Sequence, residues 1–247
     1  REIKKIFSVG LSGECADEIF AGYPWYHRKE VLYYDGFPWA TSVPERGGLM
    51  AKPLSDPEEF VRAAYNECLS HTDYLDSDSA EDRRMREMFL LNLEYFMATL
   101  LDRKDRMSMA HGLEVRVPFC DYRIVEYAYN IPWSMKAYNG REKGLVRYAM
   151  SGILPDDVLW RKKSPYPKTH NPNYMALLTE KLTALLDSGS CRLTELVNEN
   201  KLREMLESGG KSFTKNWYGQ LMSVPQIYAY FLQIERWLNE YDIIIQQ

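Results

Sequence analysis

The stretch Leu11-Ser12-Gly13-Glu14-Cys15-Ala16-Asp17-Glu18-Ile19-Phe20 sets an apolar run against a small-residue break and three closely spaced carboxylates, and it constrains the fold more than any other. Ahead of it, Ile3, Ile6, Phe7 and Val9 are β-branched or aromatic, which predicts a short buried strand. Ser12-Gly13 breaks that strand, and a helix is expected to begin near Asp17 with acidic residues in its first turn. In open α/β sheets, ligands sit where a strand end opens into a helix N-terminus, because free N–H groups there meet phosphate oxygens. A carboxylate beside a phosphate is repulsive unless a divalent cation lies between them, so Glu14 and Asp17 suit a site that carries Mg²⁺. On this stretch alone the plainer alternative comes first: Asp17 and Glu18 simply complement a helix dipole.

The chain has 247 residues, 45% apolar and 27% charged, enough for a sizeable core in one large or two small domains. A net charge of −4 without a basic tail disfavours nucleic acid or an anionic membrane as the main partner. No apolar run approaches the roughly 20 residues that span a bilayer, and no signal-peptide pattern opens the chain. Cys15, Cys68, Cys120 and Cys191 are far apart, with no C-x-x-C pair and no histidine at ligand spacing. That argues against zinc and against a disulfide framework, and for a reducing cytoplasm. Arg1 stands where an initiator methionine would, almost directly before a strand, so a piece of a longer protein is expected.

Further along, Tyr23-Pro24-Trp25-Tyr26 and Asp35-Gly36-Phe37-Pro38 mark turns, and Arg46-Gly47-Gly48 to Pro53 reads as the loosest stretch of the N-terminal half. Ser55-Asp56-Pro57-Glu58 starts a helix that runs towards Ser70. Across 81–101, Met85, Met88, Phe89, Leu93, Phe96 and Leu100 recur at three- and four-residue spacing, predicting one long amphipathic helix whose apolar stripe is core. Helices are also expected at 121–129 and 141–150, separated by Ile131-Pro132-Trp133 and a turn at Asn139-Gly140. Asn171-Pro172-Asn173 opens a C-terminal portion with helices at 174–187, 193–207 and 213–241, the last reset at Pro225. One short strand and about nine helices make the chain mostly α.

Three ordered segments carry a family resemblance. Ser12 to Tyr23 resembles the second nucleotide-site motif of the glutamine-hydrolysing asparagine synthetases. Asp105-Arg106-Met107-Ser108-Met109 followed by Leu113-Glu114-Val115-Arg116-Val117-Pro118-Phe119-Cys120-Asp121 resembles their D-R-x-S-M and E-V-R-x-P-F-L-D block. Leu154-Pro155 through Val158-Leu159-Trp160-Arg161-Lys162-Lys163 resembles their L-P-x-x-V-L-W-R-x-K block. The likeness runs from Ile3 to about Tyr174. It implies part of an α/β synthetase domain of the adenine-nucleotide α-hydrolase-like (ATP pyrophosphatase) kind. Residues 1–174 would be the C-terminal part of the ATP-binding domain and 175–247 a helical extension of it.

The resemblance also implies a two-stage reaction. The side-chain carboxylate of aspartate attacks the α-phosphate of ATP, pyrophosphate leaves, and ammonia then displaces AMP from β-aspartyl-AMP. Asp17 matches the carboxylate that holds Mg²⁺, Glu14 the glutamate placed to orient ammonia or take its proton, and Lys163 the lysine facing the transferring phosphate. Ser12, Gly13, Tyr23 and Arg116 fall at the nucleotide. Read from the residues alone, Arg161-Lys162-Lys163 is a basic run that faces water. Arg106, Glu114 and Arg116, set among apolar residues, read as partly buried, either as a Glu–Arg network supporting the site or as direct substrate contacts. His27, His71, His111 and His170 receive no role.

Departures from the family pattern are specific. Cys15 replaces a common glycine, which alters backbone freedom or places an oxidisable thiol at the site. Ala21 replaces another, with an expected effect on packing only. Ser164-Pro165-Tyr166-Pro167-Lys168 replaces an F-S-D-G continuation, leaving the carboxylate substrate open. An S-G-G-x-D-S phosphate loop and a cysteine for glutamine hydrolysis do not occur; Ser208-Gly209-Gly210 lacks the aspartate. These segments are expected upstream in the same protein, the 247 residues alone are expected to be inactive, and a homodimer is allowed. Two rivals stand beside this reading: a β-lactam-synthetase-like enzyme closing an amide within one substrate, and a non-catalytic helical binding module.

Overall fold

The computed structural model describes residues 1–51, 56–164, 171–219 and 222–245. The chain folds as two compact units that do not follow chain order: residues 1–35 join 65–164, and residues 36–64 join 165–247.

The first unit holds a two-stranded parallel sheet, with β1 (Val9–Leu11) registered so that Val9 faces Glu114, Gly10 faces Val115 and Leu11 faces Arg116 of β2 (Glu114–Arg116). This corrects the sequence reading in three ways. Ile3–Lys5 is a 3₁₀ turn, not strand. A second strand pairs with the first. The strand is also not buried, since Leu11 is 77% exposed and Ile3, Ile6 and Phe7 are exposed with it. Two three-residue strands bring too few apolar positions together to enclose those side chains.

The stripe predicted over 81–101 forms, but as three segments of one longer rod: an α-helix Ala80–Leu91, a π-helix Asn92–Met97 and an α-helix Ala98–Met109. Ser79 caps it, its Oγ accepting from Asp82 N. Met85, Met88 and Phe89 are buried as the spacing required, and Phe89 packs with Ile19, Phe20 and Ala128. The helix Tyr122–Tyr129 starts at Asp121, whose side chain accepts from Arg123 N. Ile131-Pro132-Trp133, read as a separator, instead leads into the short helix Trp133–Lys136. Asn139 and Gly140 turn at positive φ, 57° and 66°, where a turn was expected. Of the region read as helix over 141–150, only Gly144–Ala149 is helical.

In the second unit, Arg46-Gly47-Gly48 is not loose: it lies in the helix Val43–Leu49. Pro53, the end of that stretch, lies outside the described residues, as does Ser55. The helix Pro57–Ser70, of which residues 57–64 belong to this unit and 65–70 to the first, is opened by Asp56, whose Oδ1 accepts from the N–H groups of Glu58 and Glu59. Pro172–Asp187 forms with Asn171 as cap. The helix expected over 193–207 breaks into a 3₁₀ turn, Arg192–Glu195, and the helix Glu199–Glu207 capped by Asn198. The break falls across 196–198, where an antiparallel bridge between Val197 and Met50 diverts the backbone: Asn198 N donates to Leu49 O at 2.8 Å and Leu196 O accepts from Ala51 N at 2.7 Å. The buried Glu235 caps the 3₁₀ turn by accepting Leu193 N. Helix resumes only at Val224–Glu240, with Pro225 in its first turn. Before it, Phe213 and Trp217 turn inward as a tilted ring pair 5.7 Å apart. Leu178, Leu182, Leu202, Met205, Ile227, Tyr228 and Phe231 are the centre of this unit's core.

Candidate active site

The site is built where β1 ends. Ser12 N donates to Arg116 O at 2.9 Å, extending the ladder one residue past the strand. From there residues 13–15 lead into a single helical turn, Ala16–Ile19. One turn has too few aligned peptides to act as an anion-binding helix end, so the expected helix N-terminus supplies little by itself. Side-chain charge takes over that role.

Glu14 meets Lys104, which arrives from the helix Ala98–Met109. Lys104 Nζ lies 3.0 Å from Glu14 Oε1 and donates to Ser12 Oγ at 2.6 Å. The other carboxylate oxygen, Glu14 Oε2, is buried and accepts no hydrogen bond. A buried carboxylate oxygen without a donor costs free energy unless a ligand supplies one.

Asp17 Oδ1 is paired with two ammoniums, Lys163 Nζ at 2.9 Å and Lys143 Nζ at 3.0 Å. Partial burial raises the Asp17 carboxyl, but the two lysines outweigh it, and its pKa falls below the ordinary value. Lys163 also donates to Gly22 O at 2.9 Å and lies 4.3 Å from the centre of the Tyr23 ring. Its cation is thus held at the site, and the reading of Arg161-Lys162-Lys163 as a wholly solvated run does not hold for Lys163. Gly22 is required sterically: a Cβ there would stand 1.8 Å from Asp17 Oδ1.

Glu18, read as a dipole complement, is instead 2% exposed. Tyr23 donates to its Oε1 at 2.7 Å, and Tyr26 donates to its backbone oxygen at 3.1 Å. Burial raises the Glu18 carboxyl, with the Tyr23 hydrogen bond acting against it. Tyr23 is set in turn by stacking on Trp25, 4.3 Å between ring centres.

Ser12 and Glu14 are therefore brought together on Lys104, and Asp17 and Tyr23 on Lys163, with Gly13 in the loop that leads from one group to the other. The side chain of Arg116 is not: it is exposed and paired with Glu114 at 2.7 Å. Arg106 is likewise exposed and paired with Asp102. The expected partial burial of Glu114 and Arg116 fails because residues 114 and 116 share the exposed face of β2 while Val115 points the other way. That of Arg106 fails because the helix Ala98–Met109 that carries it has no buried residue.

Ala21 departs from the expectation of a packing effect: it takes φ 55°, a backbone conformation for which glycine is suited. Cys15 does the same at φ 76°. Contrary to the argument from spacing, Cys15 and Cys120 form a disulfide across a sequence separation of 105. The histidines were also set aside on spacing, yet His71 lies with Cys68 and Glu94 in the one group of three potential ligands found among the described residues. Its Nε2 is 2.8 Å from Glu94 Oε1. Lys104 and Lys143 had no sequence signal beyond being two lysines among many, and only the tertiary fold selects them. Among the described residues no helix is long and apolar enough to cross a membrane.

The family model for asparagine synthase matches residues 1–239. The chain is 50% identical over its whole length to asparagine synthetase [glutamine-hydrolyzing] 3 of Bacillus subtilis, covering 40% of that protein. It is 34% identical over 201 residues to asparagine synthetase [glutamine-hydrolyzing] 1 of the same organism, covering 68% of this chain and 32% of that one. The human asparagine synthetase [glutamine-hydrolyzing] is 36% identical over 93 residues, 36% of this chain and 15% of that protein. The chain thus spans about two fifths of the length of the most extensively matched of these relatives. A match of this extent, over residues that include every part of the site just described, places the chain in the asparagine synthase family.

Proposed function

We propose that the intact protein makes asparagine from aspartate in two stages, activating the side-chain carboxylate with ATP and then accepting ammonia released from glutamine. The observation that carries this reading is the pairing of two different carboxylate environments three residues apart, one in the loop and one in the helical turn that follows it. Asp17 is held ionised by two cations, while Glu14 keeps one buried oxygen free to accept.

In stage one the aspartate carboxylate attacks the α-phosphorus of ATP and the bond to pyrophosphate breaks. Lys163 and Lys143 are mobile point charges that can turn from Asp17 to phosphate oxygens, opposing the charge that builds as pyrophosphate leaves. Magnesium fits this donor set: one hard carboxylate, Asp17, with substrate phosphates and water completing the shell, is how Mg²⁺ is commonly held. When bound it polarises phosphoryl oxygens and neutralises their charge. Ser12, Gly13 and Tyr23 border the nucleotide. Arg116 contributes through its backbone oxygen, which accepts from Ser12 N, while its side chain stays paired with Glu114.

In stage two ammonia attacks the acyl carbon of β-aspartyl-AMP and AMP departs. Glu14 Oε2 is the acceptor that orients the nitrogen and takes its proton, with Lys104 holding the other oxygen still. The S-G-G-x-D-S loop and the glutaminase cysteine do not occur in these 247 residues, which by themselves would not turn over. The loop segment would complete an α/β ATP pyrophosphatase-type domain in the cytoplasm, with residues 175–247 as its helical extension, and the glutaminase would be a separate domain ahead of it. The altered continuation at 165–168, which bears on substrate choice, lies outside the described residues.

The test is pyrophosphate release by the intact protein with ATP, Mg²⁺ and glutamine, with and without aspartate. Release that needs aspartate and yields asparagine supports the reading. Release without aspartate overturns it in favour of another carboxylate, and no release with any carboxylate returns the binding module.

A further inference from the structure

The two cysteines of the site segments occupy positions where the quoted family blocks carry glycine and leucine, and they meet each other. Cys15 sits between Glu14 and Asp17, and Cys120 lies four residues after β2 in the second motif block. After Ser12 N donates to Arg116 O, no further backbone hydrogen bond joins the two segments among the described residues. Beyond that point they are held together by the Phe20–Phe119 ring contact, 6.3 Å between centres, and by the Cys15–Cys120 bond. The Cα atoms are 5.8 Å apart, the ordinary span of a disulfide. Cys15 at φ 76° is in a backbone region that an L-residue other than glycine, asparagine or aspartate seldom adopts. The covalent tie therefore holds the loop between Glu14 and Asp17 in a conformation its own residue does not favour.

We propose that this bond is a reversible redox tie on the candidate active site: closed, it holds the Glu14–Asp17 loop ready for nucleotide, and opened, it lets the loop relax and nucleotide affinity fall. The inference rests on the proposed function only for the identity of the ligand. Opening proceeds by exchange with a dithiol reductant. Its thiolate attacks a disulfide sulfur, the second thiolate releases the reductant as its own disulfide, and two electrons and two protons end on Cys15 and Cys120. Closing is the reverse exchange with a low-molecular-weight disulfide, which leaves as two thiols. The attack falls on Cys120, since Cys15 is 1% exposed and Cys120 only half-buried. The remaining cysteines, Cys68 and Cys191, are not bridged, and burial pushes both thiols up, which slows their exchange.

The experiment uses the intact protein equilibrated with glutathione disulfide or with dithiothreitol. Cysteines are mapped by alkylation under denaturing conditions, and the Kd for MgATP is measured in each state. The expected result is a Cys15–Cys120 bridge in the first state, two alkylated thiols in the second, and a Kd about tenfold higher after reduction, as when a tenth of the molecules remain competent. Cys120→Ser should show the reduced Kd under both conditions, with Cys120→Leu as the alternative if the serine variant folds poorly. Cys15→Gly should bind tightly under both, because glycine takes φ 76° freely. Equal affinities in the two states of the unmutated protein, or failure of the bridge to form with glutathione disulfide, overturn the proposal. A redox-dependent Kd in a protein that makes no asparagine leaves this tie standing and removes the proposed reaction. Asparagine formation with a redox-independent Kd does the opposite.

Discussion

Lys163 Nζ and Lys143 Nζ converge on a single oxygen, Asp17 Oδ1, at 2.9 and 3.0 Å. Two cations on one carboxylate oxygen make Asp17 the electrostatic centre of the site. Asp17→Asn is expected to lower kcat for pyrophosphate release about 10²- to 10³-fold, the range seen when a preorganised charge partner is removed. It also has a pH signature. The folded pKa of Asp17 is depressed, so the stability it contributes is complete above its ordinary value of 3.8 and is lost as the pH falls through the folded value. Melting temperatures of wild type and variant should differ throughout the neutral range and converge only below that value. Convergence already at pH 6 would show that the pairs do not form in solution.

Lys104 holds Glu14 Oε1 and Ser12 Oγ together. Lys104→Met keeps the aliphatic stem and removes the ammonium, releasing both. Expected is a 10- to 100-fold fall in asparagine formation, as for loss of a group that orients a reacting residue, with a smaller change in KM for ATP. A KM effect with unchanged kcat would instead place Lys104 at the nucleotide.

Ala21 sits at φ 55° and presents its carbonyl to His27 Nε2 at 2.9 Å. Glycine adopts this backbone without the Cβ cost of about 1–2 kcal/mol but loses more entropy on folding, leaving a net gain for Ala21→Gly of about 1 kcal/mol or less. Urea denaturation should show a higher midpoint with an unchanged slope.

Lys136 is buried over the Phe89 ring, 4.3 Å from its centre, and burial with the nearby Arg86 pulls its pKa down to about 7. A base with a depressed folded pKa costs stability below that value, and the cost fades as the pH rises towards its ordinary 10.5. Lys136→Met should therefore raise stability by about 1–4 kcal/mol near pH 6, with the gain shrinking steadily towards pH 10. Calorimetric scans across that range read the slope, and a gain independent of pH would mean that Lys136 is charged and solvated.

What the sequence made legible was local. The caps Asp121 and Asn171, the restart at Pro225 and the burial of Met85, Met88 and Phe89 all depend on residues within a few positions of one another. What it hid depends on partners far along the chain. β2 exists only because β1 lies beside it, the helix at 193–207 breaks because the segment around Met50 pairs with Val197, and Cys15 finds Cys120 through the fold. Within the site, Glu14, Asp17 and Lys163 stood out through the resemblance of their segments to the family motifs. Lys104 and Lys143 did not, because a lysine that closes an ion pair across tertiary structure leaves no periodic trace.

The π-helix Asn92–Met97 bears on where the gene can change length. A π turn holds one residue more than the α-helical path it replaces, so losing one codon within 92–97 returns the rod to α geometry and leaves its far end facing as before. Losing one codon between 98 and 103 instead rotates everything beyond it by about 100° and carries Lys104 off Glu14. Viable single-residue deletions in this rod should therefore collect in its wide turn.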